Sequence, residues 1–124
     1  MKLVINDAKK IGVIQKEFTS VFPFLKIEFF AKPHKSGEAS AKKIMKSADL
    51  TIGECRRVHN SGSVTINGKM TVNDLEQTFS NTFGLSVQVF RKSGRVWLET
   101  TVTDGWSLDE QNKQGEELSR PVVD

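Results

Sequence analysis

The sequence is poor in residues that build metal sites or reactive centres. It contains one cysteine and two histidines, which excludes a disulfide framework. Cys55 and His59 lie four positions apart and supply two ligands at most, whereas zinc sites normally need three or four. Arg56 and Arg57 are neighbours of the kind that lowers a thiol pKa, but a free cysteine is more often a small buried hydrophobe. The sequence therefore predicts neither a metal site nor a catalytic nucleophile.

Cofactor signatures are missing as well. Neither a GxGxxG nor a GxxxxGK[ST] loop occurs, and Asn67-Gly68 is better explained as a tight turn. The paired carboxylates Asp109-Glu110 and Glu116-Glu117 fall on a polar terminal helix, where solvent exposure accounts for them. We therefore expect a protein that is not an enzyme and that binds no cofactor.

Long apolar runs are also missing. No stretch approaches the roughly 18 apolar residues that a membrane span needs. The first twenty residues include Lys2, Asp7, Lys9, Lys10 and Glu17, a pattern unlike that of a secretory leader. We expect a cytoplasmic protein with no membrane partner.

Charge is distributed unevenly along the 124 residues, a length typical of one domain. Residues 1–69 hold 13 Lys or Arg against 6 Asp or Glu, a balance of +7, and residues 70–124 hold 5 against 9, a balance of −4. The densest basic stretch runs from Lys32 to Lys46. Such polarity suits an acidic partner, or the meeting of basic and acidic ends of two copies, although a solvated basic face explains it equally.

An internal repeat is the most informative pattern. Two sets of apolar residues share the helical spacing of 3, 4 and 4 at an offset of 61: Ile11, Ile14, Phe18 and Phe22, and Val72, Leu75, Phe79 and Phe83. Apolar strand-like segments flank both sets: Leu3–Ile5 and Leu25–Phe30 in the first copy, Val64–Ile66 and Leu85–Phe90 in the second. The chain therefore reads as two strand–helix–strand copies.

This organisation predicts the segments and the fold. Copy one covers residues 2–30 and copy two covers residues 63–91. The connector between them, residues 31–62, contains a predicted helix over 39–48. After copy two come an added strand (95–101), a short helix (108–118) and a tail (119–124). Two such copies predict an α+β, ferredoxin-like two-layer sandwich with both helices on one face of the sheet. The predicted core consists of the two helical sets above and ten strand residues: Leu3, Ile5, Leu25, Ile27, Phe29, Val64, Ile66, Leu85, Val87 and Val89.

The second copy also resembles a known half-module. The residues that carry the resemblance run from Thr71-Val72-Asn73-Asp74-Leu75 to Phe79, and from Phe83-Gly84-Leu85 to Phe90. The module is similar to one in small bacterial proteins of unassigned function, some of which carry it twice. The resemblance covers 63–90 well and 1–30 loosely, because Pro23-Phe24 departs from the Phe-Gly-Leu turn. It implies an architecture and no catalytic residues.

Three functions remain open from the sequence. The first is a non-catalytic protein-binding module, most simply a homodimer, because the edge strand at 95–101 must be covered, charged or paired. The second is binding of single-stranded nucleic acid through aromatic residues and basic loops. The third is small-ligand sensing, by analogy of fold. The candidate binding residues are Phe30, Phe90, Trp97, Lys42, Lys43, Lys46, Arg91, Lys92 and Arg95.

Overall fold

The order of strands and helices is the one predicted for each copy. The computed structural model describes residues 1–31 and 45–120. Its elements, in chain order, are β1 (Lys2–Ile5), α1 (Ile11–Val21), β2 (Leu25–Phe30), a 3-10 turn (Gly53–Cys55), β3 (Gly62–Thr65), α2 (Val72–Phe83), β4 (Ser86–Ser93), β5 (Val96–Glu99) and α3 (Leu108–Ser119).

Equivalent strands of the two copies pair with each other. β1 pairs antiparallel with β3, and β2 pairs antiparallel with β4, which in turn pairs antiparallel with β5. The result is an α+β structure with two antiparallel sheets, and its packing is compatible with a two-layer sandwich. Within residues 1–31 and 45–120, no strand of one sheet pairs with a strand of the other. The predicted α+β class is confirmed, but the exact ferredoxin-like topology is not.

The core lies between the sheets and helices α1 and α2. Every residue of the two helical sets and every one of the ten predicted strand residues is buried. The helices present these residues on one face because the 3-and-4 spacing keeps them on one side of a 3.6-residue turn. Ile52 and Leu108, which lie outside the two copies, join the same cluster.

Helix ends follow local chemistry in copy two and depart from it in copy one. The Thr71 hydroxyl accepts a hydrogen bond from the Asp74 amide (3.0 Å), and Gly84 ends α2 in the left-handed conformation with φ of 64°. In copy one, α1 begins at Ile11 behind Lys10, whose side chain makes no capping hydrogen bond. Asn6 caps a preceding turn instead, since its side-chain oxygen accepts from the Lys9 amide.

The connector helix predicted over 39–48 is not observed where the chain can be described. Residues 39–44 lie outside the described residues, as do Lys42 and Lys43. Met45 forms an isolated antiparallel bridge with Phe30, and the Lys46 amide donates to the Phe29 carbonyl (2.7 Å). Residues 45–48 are therefore not helical, because their backbone pairs with the end of β2 instead.

Helix α3 docks through residues that apolar periodicity did not single out. Leu108 is buried, whereas Leu118 is 45% exposed. Gln111 is fully buried, and α3 approaches Phe24, the residue before β2, so closely at Gly115 that a Cβ there would lie 2.9 Å from the Phe24 Cβ. The Gly94 amide donates to the Ser119 hydroxyl (3.2 Å), which holds the end of α3 at the β4–β5 turn. Helix α3 thereby supports β4 and the turn that leads into β5.

Among the described helices, none is long and apolar enough to cross a membrane.

Candidate functional site

The sheet of β2, β4 and β5 carries most of the predicted binding residues. We call the side that bears Lys26, Phe90 and Trp97 its outer face, and the side that bears Ile27 and Val89, toward the core, its inner face. Alternation along each strand decides which side chains share a face.

Lys26 is the centre of the outer face. Its Nζ lies 5.4 Å from the Phe90 ring centroid and 5.1 Å from the Trp97 ring centroid. Both distances fall within the range of a cation–π contact. The same Nζ also lies 3.8 Å from a Glu28 carboxylate oxygen. Lys26 was not among the predicted binding residues, although alternation in β2 already placed it beside Phe30.

Phe30 offers little open surface. It is 8% exposed, and its ring centroid lies 6.5 Å from that of Phe90, with the ring planes tilted by 34°. The backbone of Met45 forms an isolated antiparallel bridge with the backbone of Phe30 at the end of β2. A face for stacking would need Phe30 exposed. The structure therefore places Phe30 near Phe90 but as a packed residue.

The predicted basic residues do not converge on one surface. Arg91 lies on the inner face, where its Nη1 donates to Oε1 of the Gln111 side chain (2.8 Å) and its guanidinium lies 5.7 Å from the Trp106 ring centroid. It is thus turned away from Phe90, its neighbour in sequence. Lys92 faces Trp97 across the β4–β5 ladder, and Arg95 is exposed in the turn before β5. Lys46 lies beside the end of β2 instead.

The outer edge of β5 is an open edge of this sheet. In the described ranges β5 has β4 on one side and no strand on the other. The Thr100 amide donates to the Val89 carbonyl (3.4 Å), so residue 100 turns its backbone groups toward β4. Because these groups alternate along an antiparallel strand, Val96 and Leu98 also face β4, while Trp97 and Glu99 point their N–H and C=O groups outward.

Apolar residues occur on both faces of β5. Trp97 is half-buried on the outer face, against Lys26. On the inner face Val96 is 55% exposed and Leu98 is 41% exposed. The charged residues here are Glu99, the last residue of β5, and Arg95, in the turn before it. An apolar strand edge of this kind is a template for pairing with another chain.

A second polar cluster joins copy one to the connector. The Arg56 side chain is fully buried, donates to the Asp7 carboxylate (2.9 Å from Nη2, 3.1 Å from Nε) and to the Phe83 carbonyl (3.0 Å from Nη1). His59 Nδ1 lies 2.8 Å from the other Asp7 carboxylate oxygen. The hydrogen bond from Arg56 holds the pKa of Asp7 below its usual range. No sequence pattern indicated this link between residues 49 positions apart.

The cysteine and histidine do not form a reactive pair. His59 is engaged with Asp7, and burial raises the pKa of the Cys55 thiol, the reverse of the effect expected from Arg56 and Arg57. In the part of the chain that is described, no three His, Cys, Asp or Glu side chains are grouped as a metal ion would need.

A cavity of about 510 Å³ opens beside these residues. Phe30, Lys46, Cys55, Arg57 and Ser86 are among the residues that line it. Glu54 also lines it, so the lining carries charges of both signs. The buried Arg56 guanidinium is already committed to Asp7 and Phe83, so it offers no unpaired donor to a ligand.

Comparisons with known proteins add no relative: no family model, no curated protein and no solved structure matches the chain. The resemblance of residues 63–90 to a bacterial half-module therefore stays an expectation drawn from the residues.

Proposed function

We propose that the chain is a non-catalytic protein-binding module that accepts a partner strand on the outer edge of β5. The observation that carries the proposal is the set of outward-facing backbone groups of Trp97 and Glu99 on a strand that bears apolar residues on both faces. An added strand would satisfy these groups and cover Val96 and Leu98. Recognition by strand addition obtains its affinity from the main chain and its specificity from alternate side chains.

Some of the devices that protect an edge strand are missing here and others are present. Edge strands avoid unwanted pairing through shortness, charged side chains, proline, a bulge or a cover. β5 is short and ends in the charged Glu99, but it contains no proline. The four residues of β5 are Val-Trp-Leu-Glu, and their pairing with β4 is regular over all four positions. The charges lie at Glu99 and in the turn before the strand, where they restrict the choice of partner without preventing approach to Trp97.

The nucleic-acid alternative has weaker support. Stacking of bases needs exposed rings, whereas Phe30 is buried and the rings of Phe90 and Trp97 hold the Lys26 ammonium. Arg91 is directed to the inner face, which removes one of the expected phosphate contacts. Small-ligand sensing relies on the cavity beside Cys55.

The test blocks the outer edge of β5 and leaves the hydrogen bonds between β5 and β4 in place. Glu99→Pro removes one outward N–H, and proline is tolerated in edge strands, whereas Glu99→Ala removes the side chain alone. Tagged chain is mixed with untagged chain and cell extract, and the retained proteins are quantified for wild type and both variants. We expect Glu99→Pro to lose the proteins that the wild type retains, and Glu99→Ala, which loses the same side chain but keeps the N–H, to lose far less of them. Equal retention by Glu99→Pro would overturn the proposal.

A further inference from the structure

We infer that the strand accepted by this edge is β5 of a second copy, paired antiparallel with Trp97 on the two-fold axis. The inference rests on the proposed function and names its partner. It would join the two three-stranded sheets into one continuous six-stranded sheet, in the order β2-β4-β5-β5-β4-β2. A symmetric dimer uses the same patch on both copies, so the patch must be complementary to itself.

Backbone geometry restricts the register of such a pair. When the two-fold axis is perpendicular to the sheet, the outer faces of both copies lie on the same side of the joined sheet. One residue must then lie opposite the same residue of the second copy, at the axis. With Trp97 on the axis, Trp97 faces Trp97 of the second copy and Arg95 faces Glu99 of the second copy. Alternation turns the backbone groups of Trp97 and Glu99 outward, and Arg95 lies in the turn one residue before the strand.

Side chains are complementary in the same register. Each Arg95, in the exposed turn before β5, comes next to Glu99 of the other copy, on both sides of the axis. On the inner face each Val96 lies opposite a Leu98, which covers the two exposed apolar side chains of the strand. Opposite charges and apolar pairs directly across an antiparallel ladder stabilise it, and like charges destabilise it.

The neighbouring register lacks this match. With Leu98 on the axis, Trp97 would face Glu99 of the second copy and Arg95 would face Thr101. The outward backbone groups could still pair, but no opposite charges would meet. Charge therefore selects the Trp97 register over the Leu98 register.

Reversing the charge of Arg95 or of Glu99 distinguishes the Trp97 register from the Leu98 register. In the Trp97 register, Arg95→Glu places glutamate opposite glutamate twice, and Glu99→Arg places arginine opposite arginine twice. Mixing the two variants restores both opposite-charge pairs, because one copy then carries two glutamates and the other two arginines. The dimer dissociation constants are measured by sedimentation with one copy fluorescently labelled, and Lys113→Glu, an exposed change on α3, is the matched control.

We expect each single variant to dimerise about ten-fold more weakly than wild type, and the mixture to recover to within about three-fold of it. Lys113→Glu should dimerise like wild type, and circular dichroism should show all variants folded. A single variant that dimerises with the wild-type dissociation constant, or a mixture whose dissociation constant does not return toward the wild-type value, would overturn the Trp97 register. If the wild type is monomeric but still retains another protein, and Glu99→Pro abolishes that retention, then the partner is not a second copy of the chain. The inference would be overturned and the proposed function would stand.

Discussion

Gln111 fixes the segment that follows β5, and replacing it with leucine tests that role. Its Nε2 donates to the Thr103 carbonyl (2.7 Å) and hydroxyl (2.9 Å), while its Oε1 accepts from Arg91. The side chain is fully buried, so no solvent is at hand to replace these bonds. Gln111→Leu keeps a similar volume and a similar helix propensity. The change therefore isolates the loss of polar partners.

The expected cost follows from those partners. Withdrawing an acceptor from the Arg91 cation costs about 1.5–3 kcal/mol, and leaving the Thr103 carbonyl unpaired costs about 1–3 kcal/mol. Burial of the leucine in place of an amide offsets about 1–2 kcal/mol of this. We therefore expect the free energy of unfolding to fall by about 2–3 kcal/mol, and the midpoint temperature by roughly 10 °C.

Urea unfolding followed by tryptophan fluorescence measures this loss. The matched control is Gln77→Leu, the same substitution at an exposed position of α2, which should change stability by less than about 0.5 kcal/mol. Adding Arg91→Met to Gln111→Leu removes the unpaired cation, so the double variant should lose less stability than the two single losses combined. A Gln111→Leu variant as stable as wild type would refute the reasoning.

Two further predictions concern Gly84, at the end of α2, and the contact between Asp7 and Arg56. Gly84→Ala should destabilise the fold by about 1–2 kcal/mol because φ is 64° there, while Gly105→Ala, whose added Cβ meets no atom within 4 Å, should be neutral in the same urea assay. Because Arg56 depresses the pKa of Asp7, the stability that this carboxylate contributes is present above its unfolded pKa and is lost as pH falls through the lower folded value. Asp7→Asn should therefore unfold at lower urea than wild type at neutral pH and show a smaller fall in stability on acidification; an unchanged pH profile would contradict this.

The core was predictable from spacing because burial of an amphipathic face depends on local periodicity. Residues such as Phe18 and Phe79 follow the 3.6-residue period, and each is fully buried. The capping of α2 by Thr71 and its end at Gly84 follow from local chemistry in the same way. Strand pairing was harder, because β1–β3 and β2–β4 contacts join distant segments that are each compatible with several sheet orders.

The binding surface was predictable only in part. The edge position of β5 followed from its hairpin with β4, and Trp97 was a candidate from the start. Arg91 was predicted as a basic residue of the same binding surface as Phe90, but alternation sends the two side chains to opposite faces. Gln111 carries no apolar signal, so helical periodicity could not mark it as an anchor of α3.

The central claim is that the outward backbone groups of β5 are open in one copy and paired in two. Residue-resolved amide hydrogen exchange across a dilution series tests it most directly. We predict that the Leu98 amide, which faces β4, is protected at every concentration, while the Trp97 and Glu99 amides exchange quickly in dilute protein and become protected as concentration rises. Trp97 and Glu99 amides that are protected equally at all dilutions, or that never become protected, would contradict the account.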